Sequence, residues 1–197
     1  MIIALIGCHG AGKTTLGRAL EGILGWPFLD EIGARLAAQR RFRAEGVTAA
    51  DAQEAFDEAV FLEETARDAA WDPRQHRIVE TWHPGNLAYA AARSAMVVRR
   101  YLPRVVSMIA RQPAMVIEVT APPDVLAVRK SEAGDLAFFL EIGGAARDWA
   151  SRLRLPTLAR VLAHGRDATD IAAELAPELI SAAASGHERI ILSGGAR

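Results

Sequence analysis

The sequence has little cysteine and no excess charge of either sign, and each shortage excludes a class of protein. Cys8 is the only cysteine among 197 residues, so neither an intramolecular disulfide framework nor a zinc site built from several cysteines can form. Lys and Arg number 23 against 24 Asp and Glu, which leaves a formal net charge of -1. This balance argues against a broadly basic surface, and we expect no nucleic-acid partner.

Long apolar runs are also missing. No stretch approaches the roughly 18 apolar residues that a membrane span needs, and residues 1–6 lack the basic region that opens a signal peptide. We therefore expect a soluble, cytoplasmic protein with no membrane partner. A chain of 197 residues is typical of one domain, so residues 1–197 are predicted to form a single domain.

Short apolar runs alternate with stretches of helical periodicity along the chain. Strands are predicted at 2–6, 28–30, 77–80, 114–119 and 158–163, with a further short strand at 189–192. Helices are predicted at 13–24, 31–45, 48–70, 86–111, 124–131, 145–153 and 167–184, with a turn at 84–85, an interruption at Pro103 and a loop at 134–144. The alternation predicts an α/β fold in three layers, with a parallel five-stranded sheet and helices on both faces.

Residues 7–14 read Gly-Cys-His-Gly-Ala-Gly-Lys-Thr and match the phosphate-binding pattern G-x-x-x-x-G-K-[ST] at every fixed position. Glycines let backbone N–H groups turn toward an anion, and the following helix adds the positive end of its dipole. We expect Lys13 to reach the β- and γ-phosphates and the Thr14 hydroxyl to bind Mg²⁺. The alternative is an ordinary glycine-rich turn. The expected nucleotide-binding residues of this loop are Gly7, His9, Gly10, Ala11, Gly12, Lys13, Thr14 and Thr15.

This loop and the stretches that follow it resemble the nucleoside and nucleotide kinases of the P-loop NTPase fold, of which thymidylate kinase is the best known. The resemblance implies the P-loop NTPase fold, with ATP as phosphoryl donor and Mg²⁺ as cofactor. A regulatory GTPase is disfavoured because the sequence has no N-K-x-D motif. A motor or AAA-type ATPase is disfavoured by the chain length and by the lack of a clear Walker B run.

Two acids, Asp30 and Glu31, follow the second apolar run, and Arg35 lies one helical turn further on. In the kinases that the sequence resembles, an acid at this place accepts the proton of the acceptor hydroxyl. We therefore expect Asp30 or Glu31 to be the catalytic base, with Glu31 preferred, and Arg35 to orient the acid or the acceptor. The alternative is a helix cap and first-turn acid with a surface ion pair.

The third predicted strand ends at Glu80, and Thr81 follows where thymidylate kinase-like proteins have Asp-Arg. The resemblance implies that Glu80 assists Mg²⁺, and the alternative is a carboxylate that caps the next helix. The missing arginine weakens the case for a phosphate-bearing acceptor. Trp82, His83 and Asn86 are expected to bind the acceptor instead, by stacking and hydrogen bonding; a packed histidine is the alternative for His83.

The Pro-Pro-Asp turn at 122–124 resembles the start of the helix that leads, in similar kinases, to an arginine-bearing lid. We expect a lid at about 129–154, in which Arg129 and Arg147 neutralise charge on the transferring phosphoryl group. The alternative for each arginine is a solvated helix face. Gly165 and Arg166, after the fifth predicted strand, are expected to border the adenine.

Two functions remain open on the sequence alone. The first is an ATP- and Mg²⁺-dependent kinase that phosphorylates a hydroxyl of a nucleoside-, nucleotide- or sugar/polyol-like molecule held near helices 31–70. The second is an ATP-binding regulatory or partner-binding ATPase, in which those helices form a protein interface. The predicted helix 86–111 offers either a homodimer surface or core packing. The acceptor, the choice of ATP or GTP and the oligomeric state stay undetermined.

Overall fold

Five strands form one sheet in the computed structural model, which describes residues 1–38, 49–130 and 136–194. The order across the sheet is β2-β3-β1-β4-β5, and every pair of neighbours is parallel. The predicted parallel five-stranded α/β fold is therefore confirmed. The strands are β1 (Ile2–Ile6), β2 (Phe28–Leu29), β3 (Arg77–Glu80), β4 (Ala114–Thr120) and β5 (Thr157–Leu162).

Helices connect the strands and cover the sheet. Within the described residues, no helix combines the length and the apolar character that crossing a membrane requires. The helices are α1 (Lys13–Leu24), α2 (Ile32–Ala38), α3 (Ala49–Ala70), α4 (Trp82–Arg93), α5 (Ala95–Ile109), α6 (Pro123–Lys130), α7 (Leu136–Arg152) and α8 (Ala168–Gly194).

The central strand β1 explains why the chain opens on an unbroken apolar run. All five of its residues are buried, because helices lie on both faces of the sheet. Ile3 and Leu5 belong to a core that contains residues of α1 and α8. Ile2 and Ile6 belong to a second core, which contains residues of α4 and α7. Parallel strands with helices on both faces direct all five carboxyl ends to one edge, where the loop after β1 lies.

Several predicted boundaries are wrong, each for a local reason. The turn at 84–85 lies inside α4, because that helix begins directly after β3. The helix predicted at 86–111 is divided at Ser94 instead of Pro103, since Ser94 has extended φ/ψ and its hydroxyl caps α5. Residues 136–144 are helical in α7, where Ile142 is buried. Residues 189–192 continue α8 instead of forming a strand. The end of the predicted helix 31–45 lies outside the described residues, as do 131–135.

Two glycines of α1 provide a matched test of packing. A Cβ at Gly17 would lie 2.2 Å from a ring carbon of Phe28, whereas one at Gly22 would meet no atom within 4 Å. We expect Gly17→Ala to lower the free energy of unfolding by about 1–3 kcal/mol through overpacking. Gly22→Ala should raise it by up to about 1 kcal/mol, because alanine favours the helix. Denaturant unfolding of both variants checks this; equal effects would contradict the contact between α1 and β2.

Candidate functional site

The loop between β1 and α1 turns sharply at the carboxyl end of the central strand. Gly7 has a φ of 137° and Gly12 a φ of 102°, both in the region that favours glycine. Gly7 meets a second requirement, because a Cβ there would lie 2.1 Å from the carbonyl oxygen of Val119. Strand β4 therefore runs directly against the loop, and position 7 accepts only glycine.

Lys13 begins α1, and its side chain lies back over the loop. Its Nζ donates hydrogen bonds to the carbonyl oxygens of Gly7, at 3.2 Å, and Cys8, at 3.1 Å. The same atom is 3.8 Å from Oε1 of Glu80, and the side chain is 4% exposed. A buried ammonium group at the amino end of a helix favours an anion in the loop through both charge and dipole.

Thr14 and Glu80 meet beside the lysine. The Thr14 hydroxyl donates to Oε2 of Glu80 at 2.8 Å. Burial raises the pKa of Glu80, while the Lys13 charge and the Thr14 hydrogen bond act in the opposite direction. A hydroxyl and one carboxylate are hard oxygen donors, and they fit Mg²⁺, which takes few protein ligands when phosphates supply others. Over the described part of the chain, no group of three or more His, Cys, Asp or Glu residues forms a separate metal site.

A cleft of about 880 Å³, which we call the loop cleft, surrounds these residues. The end of β5 closes one side, since a Cβ at Gly12 would lie 3.3 Å from the Cβ of Ala163. Gly165 forms the turn that follows, with a φ of 74°, and Arg166 pairs with Glu174 at 2.5 Å. Of the predicted nucleotide-binding residues, the cleft is lined by His9, Gly10, Gly12, Lys13, Thr14, Thr15 and Arg166, while Gly7, Ala11 and Gly165 are not among its lining.

The two predicted lid arginines have different positions. Arg129 lines the loop cleft, and its Nη1 donates to the carbonyl oxygen of Gly10 at 2.8 Å. Arg147 does not line the cleft; its Nη1 is 3.2 Å from Oε1 of Glu118, which lies on β4. The physical reason is the helical course of residues 136–152, which places Arg147 over the sheet. The same helix approaches the loop at Gly143, where a Cβ would lie 3.0 Å from the Cys8 nitrogen.

A second cavity of about 210 Å³, which we call the side cavity, lies next to the loop cleft. Residues of α2, α3, α4 and α7 line it, together with His9 of the loop. His9 lines both spaces, and its ring centroid is 5.5 Å from that of Phe139. The two spaces therefore both lie next to this one histidine of the phosphate loop.

The structure separates the two candidate bases. Glu31 lines the side cavity, and its Oε2 accepts a hydrogen bond from the Thr81 hydroxyl at 2.9 Å. Asp30 lines neither space, and both its carboxylate oxygens accept from Nη2 of Arg18 at 2.8 Å. Thr81 has a φ of 68°, a strained value for a β-branched residue. Thr81 directly follows the carboxyl end of β3, and its strained backbone places the hydroxyl against Glu31.

Only one of the predicted acceptor-binding residues at the end of β3 lines the side cavity. That residue is Asn86, whose Nδ2 donates to Oε2 of Glu64 at 3.3 Å. Trp82 and His83 are buried instead and contact Oδ2 of Asp68, at 3.1 Å and 3.0 Å. The expectation that they reach the acceptor is not supported, because α4 begins immediately after β3 and its first turn packs under α3.

Arg35 also lies away from the side cavity. Its guanidinium pairs with Glu63 on α3, and both side chains are partly exposed. The predicted role of Arg35 in orienting Glu31 or the acceptor therefore has no contact to support it. The alternative for this residue was an i,i+4 surface pair with Glu31, and the structure pairs Arg35 with Glu63 instead.

Helix α3 has an acidic face that the sequence reading missed. Asp57, Glu64 and Asp68 are 3%, 1% and 6% exposed. Burial raises the pKa of Asp57 and of Glu64, against the charges of Arg93 and Arg67 respectively. Burial also acts to raise the pKa of Asp68, but His83, Arg77 and Trp82 together hold it below its usual value.

Most residues that line the side cavity were absent from the predicted site residues, among them Phe56, Asp57, Tyr89 and Arg93. A signal for Asp57 exists in the sequence, since Asp57, Glu64 and Asp68 recur at spacings of seven and four, which place them on one helical face. The spacing does not reveal that this face is buried, because acidic residues on a helix more often face solvent. No comparable signal marks Tyr89 or Arg93, whose roles depend on how α3 and α4 pack.

The fold, the glycine-rich turn and the buried Lys13 define the chain as a P-loop α/β protein. The family model described as an AAA domain matches residues 2–189, so the chain belongs to that family. The sequence features had disfavoured an AAA-type ATPase, whereas the matching family is described as an AAA domain. The narrower thymidylate kinase-like assignment stays a prediction. No curated protein matches the chain by sequence.

Solved structures share the fold at low identity. The YorR protein from Bacillus subtilis, in complex with phosphorylated GDP, is 18% identical, with a TM-score of 0.60 over 91% of this chain and 95% of that one. Shikimate kinase from Acinetobacter baumannii, in complex with shikimate, is 17% identical, with a TM-score of 0.53 over 91% and 93%. Deoxyadenosine kinase from M. mycoides, with dCMP and dCDP, is 11% identical, with a TM-score of 0.65 over 92% and 99%.

Replacing Lys13 tests the loop cleft. We expect Lys13→Ala to weaken binding of a non-hydrolysable ATP analogue with Mg²⁺ by about 10- to 100-fold, as loss of a charged hydrogen bond predicts. Isothermal titration calorimetry measures this, with Arg104→Ala on the exposed face of α5 as the control. An unchanged affinity in Lys13→Ala would show that the loop is not the phosphate site.

Proposed function

We propose that the protein is an ATP- and Mg²⁺-dependent kinase that transfers the γ-phosphoryl group to a hydroxyl of a small molecule. One observation carries the proposal: a carboxylate, Glu31, lines a separate cavity that shares a lining residue, His9, with the phosphate-loop cleft. A nucleoside triphosphatase needs only the cleft, whereas a kinase needs a second site for the acceptor. We further propose that the chain works as one domain, with its acceptor side formed by helices within 31–70.

The loop cleft is the proposed donor site. Lys13 neutralises charge on the β- and γ-phosphates, and Arg129 supplies a second cation at the edge of the loop. Thr14 and Glu80 are the residues that would hold Mg²⁺, which when bound offsets the negative charge of the phosphates. Arg166 and the turn at Gly165 border the opposite end of the cleft, where the base of the nucleotide would lie.

Glu31 is the proposed general base. The acceptor oxygen attacks the γ-phosphorus, the bond from that phosphorus to the β,γ-bridging oxygen breaks, and ADP leaves with the electron pair. The proton of the acceptor hydroxyl passes to the Glu31 carboxylate. The Thr81 hydroxyl holds Oε2 of Glu31 in position at 2.9 Å, so that little reorganisation is needed at the moment of transfer.

The compounds bound to two structurally similar proteins support an acceptor site of this kind. One is a shikimate kinase with shikimate bound, and another is a deoxyadenosine kinase with dCMP and dCDP. For this chain the proposed acceptor is a nucleoside-, nucleotide- or sugar/polyol-like compound. ATP as donor, a cytoplasmic location and the absence of a membrane or nucleic-acid partner are proposed with it.

A second candidate function is an ATP-binding regulatory ATPase. The observation that favours it is the position of Arg147, which pairs with Glu118 on β4 and leaves Arg129 as the one predicted lid arginine at the cleft among the described residues. A slow ATPase needs fewer cations around the transferring group. The AAA-domain match is compatible with this function as well.

ADP release in the presence of candidate acceptors separates the two functions. The protein is incubated with ATP and Mg²⁺, and ADP is followed in a coupled assay while nucleosides, nucleotides, sugars and polyols are added in turn. We expect at least one acceptor to raise the rate tenfold or more above the rate without acceptor. A rate that no acceptor changes would favour the ATPase.

Glu31→Gln tests the proposed base. We expect acceptor-dependent turnover to fall by about 10²- to 10⁴-fold, because the amide takes no proton, while affinity for the ATP analogue stays the same. Asp30→Asn is the matched comparison, and it should retain most of the turnover because Asp30 lines neither space. Steady-state rates and calorimetry check both; loss of turnover in Asp30→Asn alone would assign the base to Asp30.

A further inference from the structure

The described residues that line the side cavity carry more negative than positive charge. Among the described residues that line it, Glu31 and Asp57 are carboxylates and Arg93 is the single arginine, with no lysine. His9 is the remaining titratable base at its border. An acceptor with a phosphate or carboxylate group would add a further negative charge to a partly enclosed space, where screening by water is weak.

Arg93 is already engaged on three sides. Its Nη1 donates to Oδ1 of Asp57 at 2.7 Å. Its guanidinium carbon is 5.2 Å from the ring centroid of Tyr89 and 6.0 Å from that of Phe56. The positive charge is therefore paired with Asp57 and lies over two aromatic rings, and this pairing reduces its attraction for a second anion.

One carboxylate oxygen of Asp57 lacks a hydrogen-bond partner. The residue is 3% exposed, and its Oδ2 is buried without a hydrogen-bond partner. Of the buried side-chain atoms in the described residues that lack such a partner, this is the one whose residue lines the side cavity. Burial raises the pKa of Asp57 in spite of the Arg93 charge, as expected of a carboxylate with incomplete compensation. A buried acceptor atom of this kind destabilises the site until a donor reaches it.

The remaining lining suits a flat apolar body. Phe56, Tyr89 and Phe139 contribute aromatic rings, and Val60 and Ala34 contribute aliphatic surface. Sugars and polyols carry a hydroxyl on most of their carbons, so more of their polar groups would face this apolar lining without a partner. A ring compound with a polar edge matches it better, because its faces contact the aromatic groups while its edge forms hydrogen bonds.

We propose that Asp57 determines which acceptor the side cavity takes: an uncharged, ring-bearing compound of nucleoside type whose amine or amide N–H donates to Oδ2 of Asp57, and not a phosphate- or carboxylate-bearing one. The inference rests on the proposed kinase function and narrows its three acceptor classes to one. Glu31 faces the reacting hydroxyl, and Asp57 binds the polar edge of the ring. Asp57 is thus a specificity residue that touches the acceptor.

Matched pairs of neutral and anionic compounds test the proposal on the wild-type protein. Adenosine and cytidine are compared with AMP and CMP by calorimetry, each in the presence of a non-hydrolysable ATP analogue and Mg²⁺. We expect at least one nucleoside to bind ten times or more tighter than its monophosphate at the acceptor site. Failure of both nucleosides to bind, or equal or tighter binding of the monophosphates, would overturn the proposal.

Asp57→Asn tests the residue itself. The substitution keeps the shape and removes the charge, so we expect nucleoside affinity to fall about tenfold or more, and the preference for nucleoside over monophosphate to shrink by a similar factor. Asp148→Asn, the same change on the exposed face of α7, is the control and should alter neither. A preference that Asp57→Asn leaves unchanged would overturn the assignment.

Two further measurements separate the outcomes. The affinity of the Asp57→Asn variant for the ATP analogue reports whether that variant is folded. If the variant is not folded, the comparison of nucleosides with monophosphates on the wild-type protein still tests the proposal. ADP release with the bound nucleoside reports the chemistry. Nucleoside binding that depends on Asp57 without ADP release would reject the kinase and support the specificity residue. ADP release with a monophosphate or a polyol, and with neither nucleoside, would support the kinase and overturn this inference.

Discussion

The candidate site depends on the contact of Glu80 with the side chains of Lys13 and Thr14. A buried carboxylate at the end of β3 accepts from Thr14 and lies near Lys13, both at the start of α1. Burial makes an unpaired carboxylate costly, so the lysine and the hydroxyl must stay close to it. The contact thereby joins two neighbouring strands at their carboxyl ends and aligns the loop with the side cavity beyond β3.

The acidic face of α3 imposes a second constraint. Glu64 and Asp68 are buried against Arg67 and Arg77, and Asn86 links Glu64 to the side cavity. Asp68 also accepts a hydrogen bond from Trp82 and contacts His83, both in the first turn of α4. These buried contacts restrict how α3 and α4 lie against each other. The wall of the side cavity is built on that packing.

In the proposed kinase, the two spaces would divide the work that phosphoryl transfer requires. The loop cleft concentrates cations and backbone donors, while the described lining of the side cavity is largely apolar, with two carboxylates and one arginine. Under the proposal, this difference would favour a highly charged donor on one side and an uncharged acceptor on the other. His9 lines both spaces.

Local signals account for what could be predicted and for what could not. The phosphate loop is recognisable because its glycines, lysine and threonine serve requirements within eight consecutive residues. The assignments of Trp82 and His83 failed because a strand that passes straight into a helix buries the first turn, and no residue pattern marks the absence of a loop. The position of Arg147 was mispredicted for a similar reason. The glycines at 143 and 144 indicate a loop, yet α7 continues through them. The absence of a side chain at Gly143 lets this helix approach Cys8.

The amino-acid sequence by itself determined the parallel α/β fold, the phosphate loop and the pair of acids after β2, since each depends on residues that are close along the chain. Only the tertiary structure placed Glu31 and not Asp30 at the side cavity, buried Trp82 and His83, and brought Asp57 and Arg93 to the same cavity. Those outcomes depend on contacts between elements that lie 12 to 50 residues apart. Packing and burial resolve such contacts, and periodicity along the chain does not encode them.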